Sequence, residues 1–289
     1  METTPHNYYE VKALSNTALG YLEKSAFHCN EFMQGRIKFD TNPMKLGRYL
    51  HAAVLEPETI TFEMVEDLRT KEGKATAQSL REQGITVLSK SEFETYSGCI
   101  NSLANNKQVK LWLQNAVCEQ EFYFDYRGIA CKMKTDIKTT VIENKTILVD
   151  LKFMVDSNPQ EFMRKANFYD LDRQAAWYCN GYEIATGIKV DEFYFVCVEK
   201  AAPYCVSIIK VTPQQLKLGK QKYDHLVSVY LETIHVGKYP AYEGIFEWGE
   251  EEVDNDFDMQ SAPGTNFFDA TNFGNYQNIM AALKGKSNQ

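Results

Sequence analysis

Apolar residues recur at helical spacing through the first third of the chain, then switch to strand-like runs from about residue 117. Ser15 stands before ALGYLEK as a candidate N-cap. Leu46, Leu50 and Val54 lie on one helical face in a segment that follows Pro43 and stops at Glu56-Pro57. Ser89 and Glu92 form an S-x-x-E capping box, which predicts a helix running through the low 100s. From about 117, VCEQEFYFDY and GIACKMKTDIK read as a hairpin turned near Tyr126-Arg127-Gly128. ILVDLKF (147–153) is a nearly continuous apolar strand, the pattern of a strand covered on both faces. Helical stretches at 158–166 and about 170–184 follow, then strands DEFYFVCVE and YCVSIIKV, then a long helix opening at Thr212-Pro213. The order predicts an α/β or α+β fold, a central mixed β-sheet flanked by helices, with a helical region before it.

This pattern divides the chain into a mainly helical part (1–115), a sheet-bearing core (116–244) and a tail (245–289). The tail is acidic, then rich in Asn, Gly and Phe without any period, and reads as mobile or partner-binding. No apolar run reaches the roughly 18 residues of a membrane span. METTPHNYYEVKAL has no secretory character, and the seven scattered cysteines form no CxxC pair. Both features fit a cytoplasmic protein and argue against a zinc ribbon or an iron–sulfur cluster. A net charge of −8 runs against phosphate binding in general. Much of that acidity is gathered in Glu243–Asp258, so a local positive groove elsewhere stays compatible with it.

The tripeptide [D/E]-x-K starts at Glu10, Glu72, Asp136, Glu143 and Asp150, so context must separate these occurrences. Asp150 and Lys152 have that context, projecting to one face of the apolar strand. Such charges are expensive there unless they pair or bind something, and a structural ion pair fits as well as a reactive site. Asp136, expected on one face with Lys132, Lys134 and Lys138, changes the balance. If the two strands are neighbours, Asp136 and Asp150 converge. Their repulsion then calls for a cation, and hard oxygen ligands suit Mg²⁺ or Mn²⁺. Lys152 beside it would orient water and stabilise charge on a phosphate, as in metal-assisted phosphodiester hydrolysis. A solvated sheet face is the plain alternative.

In DLDRQAAWYCNGY, Gln174 and Tyr178 share one helical stripe, and Arg173 and Trp177 share the next. Either stripe is compatible with core packing or with a cleft. Glu119 and Glu121 are further acidic candidates on the first hairpin strand, where ordinary surface positions are the simpler reading. His51 alone on an amphipathic helix reads as a packed or capping residue.

Together, an Asp, a D/E-x-K on the next strand and Q-x-x-x-Y on the next helix resemble the RecB-like branch of PD-(D/E)XK nucleases. LSNTALGYLEKSAFHCNEF resembles the branch's N-terminal helix, with Ala26 at a common proline position. LGRYLHAAVLEPE resembles its Gly-x-x-x-His helix and places Gly47 and His51. GIACKMKTD resembles the stretch before the first aspartate, with Lys134 and Thr135 for the commoner Arg and Pro. VDLKF has Phe153 where threonine is common. HAAVLEPE and the DLK…QAAWY spacing are most similar to phage and prophage exonucleases of the exonuclease VIII (RecE) type, over about residues 8–240.

The resemblance implies a restriction-endonuclease-like core and a divalent-metal, ATP-independent exonuclease on linear double-stranded DNA. It also implies a ring-shaped homo-oligomer, a single-strand annealing partner and a role in phage-type recombination. Carried over, His51, Asp136, Asp150 and the Leu151 carbonyl would be metal ligands, Lys152 catalytic, and Gln174 and Tyr178 supporting. Ser15, Thr17, Arg48, Lys132, Lys134 and Arg173 are the candidate DNA contacts. Two other readings compete: a site-specific endonuclease on this scaffold, for which no sequence-reading module is visible, and a non-catalytic DNA-binding or assembly protein. The second fits poorly with an intact Asp136, Asp150 and Lys152. No P-loop is present to power a helicase.

Overall fold

A computed structural model describes residues 8–37, 42–142, 144–242 and 244–245. The tail expected over 245–289 lies outside the described residues, apart from Ile245. Helices α1 (Asn16–Lys24), α2 (Ala26–Met33) and α3 (Asn42–Leu55) open the chain. Ser15 caps α1 by accepting from the Ala18 amide. Next comes a small parallel pair, β1 (Phe62–Val65) and β2 (Thr86–Ser89), joined through α4 (Lys71–Glu82). This polar insert has no apolar period to announce it: Ala77 is the buried residue of α4. The Ser89–Glu92 box then starts α5 (Lys90–Asn105), and Asn106 caps the short α6 (Lys107–Leu113).

The central sheet has five strands in the order β3 (Val117–Tyr126), β4 (Ile129–Thr139), β5 (Ile147–Met154), β6 (Glu192–Glu199) and β7 (Val206–Lys210). Only β5 and β6 run parallel, through α7 (Pro159–Ala166) and α8 (Leu171–Thr186); α9 (Pro213–Val236) closes the chain's described fold. The sheet is mixed, as its order in sequence implies.

Two apolar clusters cover its faces. Phe122, Met133, Leu148, Phe193 and Phe195 pack against α1, α2, α8 and α9. Ile137, Val149, Leu151 and Val196 pack against α3, α5 and α6. Burial on both faces is why β5 reads as a continuous apolar run. Close approach is built in by two glycines. A Cβ at Gly181 would come within 2.7 Å of the Phe124 ring, and one at Gly219 within 2.0 Å of the Asp172 carbonyl oxygen. Without side chains there, α8 lies against the sheet and α9 against α8.

Cys131 and Met133 face one cluster, but Ile137, of the same parity, faces the other. Strand β4 therefore turns over between Met133 and Ile137. Opposite this turn stands Glu119, whose backbone is left-handed at φ 51°. A single face holding Lys132, Lys134, Asp136 and Lys138 does not survive this: Lys132 turns to residues 8–11 instead.

Candidate active site

The β4–β5 ladder is short. It pairs Ile137 with Val149, Lys138 with Leu148 and Thr139 with Ile147, and goes no further. Extended by one residue, the register would set Asp136 opposite Asp150. There the strands part, and the Asp136 carboxylate accepts from the Leu151 amide at 2.8 Å in place of a backbone carbonyl. Like-charged carboxylates are thus held at the mouth of a gap between two strands.

The helices of opposite sheet faces converge on this gap. From α8, Gln174 donates to Asp150 at 2.7 Å through Nε2 and accepts from Lys152 Nζ at 3.0 Å through Oε1. Lys152 Nζ also stands 2.7 Å from Oδ2 of the buried Asp150, as its ion-pair partner. Tyr178, one turn further along α8, is hydrogen-bonded to Gln174. From α3, His51 brings Nδ1 to 3.6 Å from Asp136 Oδ2 and shares a backbone hydrogen bond with Leu151. The Phe153 ring meets the imidazole edge to face, with centroids 5.3 Å apart, so the residue that departs from the usual motif packs on the histidine.

Electrostatics match the crowding. Burial, then Asp150, pushes the Asp136 carboxyl well above the ordinary aspartate range. Burial alone would depress the Lys152 ammonium, but Asp150 and Asp136 together outweigh it and raise it, so it stays charged. Burial pushes His51 down to about 4, against the pull of Asp150, leaving a neutral imidazole with a lone pair at neutral pH. Tyr178 is raised by burial and then by Asp150 and Asp136, so its hydroxyl keeps its proton.

Glu119 joins the group. His51, Glu119 and Asp136 each offer one ligand atom, all within 4.8 Å of one another. Its carboxyl is raised by burial despite an ion pair with Lys134. The signal was in the sequence: a turn at Arg127-Gly128 pairing Tyr126 with Ile129 sets Glu119 opposite Asp136 by counting back along the hairpin.

The structure therefore brings together His51, Asp136, Asp150, Leu151, Lys152, Gln174 and Tyr178, with Lys134 beside them through Glu119. Other expected DNA contacts are placed differently. Lys132 is buried and donates to the Tyr8 and Val11 carbonyls, both at 2.7 Å, so its ammonium is turned into the protein. Arg173 is buried in an ion pair with Glu23 and donates to Asn16. The cause is the same for both residues: the charged head group is engaged by its own chain. Ser15 is a buried helix cap. Thr17 and Arg48 are exposed on α1 and α3, Arg48 about one turn before His51.

Residues 15–250 match the model of the PDDEXK-like domain of unknown function (DUF3799). The chain belongs to this family. Its fold is similar to that of a "Putative exonuclease" from Eubacterium rectale, with a TM-score of 0.61 and 16% identity over 89% of this chain and 98% of that one. A second solved structure, SSO0001, reaches a TM-score of only 0.31 at 14% identity over 64% of this chain and 86% of that one, too low to bear on the fold. No functionally curated protein matches. Family and fold are PD-(D/E)XK-like, and PD-(D/E)XK nucleases generally use divalent metal ions. Among the described residues no helix is long and apolar enough to cross a membrane.

Proposed function

We propose that this protein is a divalent-metal-dependent, ATP-independent exodeoxyribonuclease acting on linear double-stranded DNA. The observation that carries the reading is the junction of Asp136 and Asp150 where β4 and β5 part, with Lys152 fixed beside them by Gln174. Asp136, whose ionisation is opposed by burial and then by Asp150, is the kind of perturbed carboxyl that gathers at functional sites.

The donor set fits a hard divalent cation. Asp136, Glu119 and neutral His51, whose ligand atoms cluster, would hold Mg²⁺ or Mn²⁺, joined by Asp150 and the Leu151 carbonyl as the family resemblance implies. Such an ion supplies positive charge against these carboxylates and a phosphate, and acidifies water. The chain's own contribution is positional. Gln174 fixes both Asp150 and Lys152, so the ammonium is preorganised where charge develops on a scissile phosphate. Lys152 stays protonated, suiting it to stabilise that charge and to orient an attacking water. Tyr178, also protonated, stands beside Gln174 on the same face of α8.

The exonuclease specificity rests on the RecE-like motifs and on what the Eubacterium rectale protein is called. The same likeness underlies a ring-shaped homo-oligomer, a single-strand annealing partner, a role in phage-type recombination and a cytoplasmic setting. End-labelled linear duplex and covalently closed circular DNA, each with Mg²⁺ and with EDTA, test the core of this. Linear duplex should be degraded with Mg²⁺ alone while circles survive. Discrete products from the circle would make the enzyme an endonuclease instead.

A further inference from the structure

Phe168 and Tyr169 lie in the short connection between α7 and α8, 57% and 60% exposed. Their rings meet edge to face, with centroids 5.0 Å apart and planes at 84°. Large aromatic faces left open to water usually have a partner. The presentation is fixed rather than loose. The Tyr169 amide donates to Lys165, closing the α7 end, and the next residue, Asp170, is left-handed at φ 48°. Lys222 of α9 holds the Asp170 carboxylate at 2.8 Å and Asp172 at 3.0 Å, pinning a backbone conformation that a non-glycine residue avoids.

The position matters. Tyr169 lies two residues before the start of α8, and Gln174, the residue that fixes Asp150 and Lys152, is roughly 4.5 Å of helix rise beyond that start. The same segment carries Arg164 and Lys165 within one turn of the rings. Both are paired with Glu161 on the surface, at 2.8 and 3.6 Å. Such exposed pairs are weak and are readily exchanged for a phosphate.

We infer that Phe168 and Tyr169 form a stacking platform for unpaired DNA bases, with Arg164 and Lys165 meeting the adjoining phosphates. This rests on the nuclease reading and adds that a single-stranded segment adjoins the site. Paired bases are stacked on one another and hide their faces. Unpaired bases expose theirs, and stacking on aromatic rings serves every base alike. A basic pair one helical turn before an aromatic pair favours this occupant over a protein.

The test uses full-length protein with Ca²⁺ in place of Mg²⁺ to hold back hydrolysis. Fluorescence anisotropy reads affinity for a labelled single strand of about 20 nucleotides, longer than the roughly 4–16 such sites take, and for a blunt duplex. A strand carrying 2-aminopurine reports stacking through quenching. Phe168→Ala/Tyr169→Ala should weaken single-strand binding about tenfold or more and abolish the quenching. Phe168→Leu/Tyr169→Leu, which keeps the apolar surface, should lose as much, and Phe168→Trp/Tyr169→Trp should restore both. Duplex affinity should stay within about twofold. Unchanged single-strand binding in the Ala variant, full binding by the Leu variant, or equal losses on duplex and single strand would each overturn the platform. A change of oligomeric state in the Ala or Leu variant would overturn it too, assigning the patch to a second copy. Mg²⁺-dependent degradation by the wild type is scored separately. If it is absent while the stacking results hold, the nuclease reading fails and the platform stands.

Discussion

Leu151, two residues beyond the last paired rung of β4 and β5, donates its backbone amide at 2.8 Å to the carboxylate of Asp136, one residue beyond that rung on the other strand. A side chain thus takes over from the sheet where the strands separate, which ties the first aspartate to the strand that carries the second. Asparagine at 136 could still accept that bond through its amide oxygen, so charge and scaffold can be tested apart.

Asp136→Asn should fold and melt at or above the wild-type temperature without metal, because burial and Asp150 already oppose the ionised carboxyl. Hydrolysis should fall by about 10²-fold or more, by analogy with loss of an electrostatic stabiliser. Mn²⁺ should stabilise wild type, by about 2.7 kcal/mol at a hundred times its dissociation constant, and the variant much less. Differential scanning fluorimetry with and without metal checks this. An Asp136→Asn protein that hydrolyses DNA within tenfold of wild type would remove the residue from the site.

Lys152→Met should remove most turnover, again about 10²-fold or more, while DNA affinity in Ca²⁺ falls only modestly. Gln174→Leu should lower turnover by roughly 10- to 100-fold, as expected when a residue that orients reactive groups is lost. Single-turnover kinetics with folded protein decide the matter. A stable Lys152→Met enzyme working at near wild-type rate would show the lysine to be a counter-ion for Asp150 and nothing more.

Glu119→Gln separates ligand from surface ion pair. If Glu119 shares a cation with His51 and Asp136, the metal concentration for half-maximal activity should rise on the order of tenfold. If it merely pairs with Lys134, the metal requirement should not move.

Glu23 gives a pH signature away from the site. Burial lifts its carboxyl from the ordinary 4.5 to about 7, despite the Arg173 partner. The native state therefore holds a proton that the unfolded chain releases at lower pH. This group's contribution is complete below about 4.5 and is lost as pH rises through about 7. Glu23→Gln should flatten that stretch of the stability profile, by on the order of 1–2 kcal/mol. Urea denaturation at pH 5 and pH 7.5 measures it, and parallel profiles for wild type and variant would contradict the assignment.

By itself the sequence determined the elements whose signals are local. Ser15 and the Ser89–Glu92 box set helix starts through bonds spanning three residues. The Arg127-Gly128 turn set the hairpin register, and with it the opposition of Glu119 and Asp136, although the register had to be counted for that to appear. Charge inside the apolar run at Asp150 and Lys152 marked the site, because burying it unpaired is costly. The polar insert around α4 carries no such signal because it buries too little to have a period. Only the tertiary structure decided what depends on elements from opposite sheet faces meeting. His51 reaches the gap from α3 and Gln174 from α8, Lys132 and Arg173 are spent on residues 8–11 and Glu23, and Asp170 is locked by Lys222. Periodicity tells each residue which side of its own element it occupies. It carries no information on which distant element arrives there, because that follows from strand order, from where a ladder ends and from how closely two helices can approach.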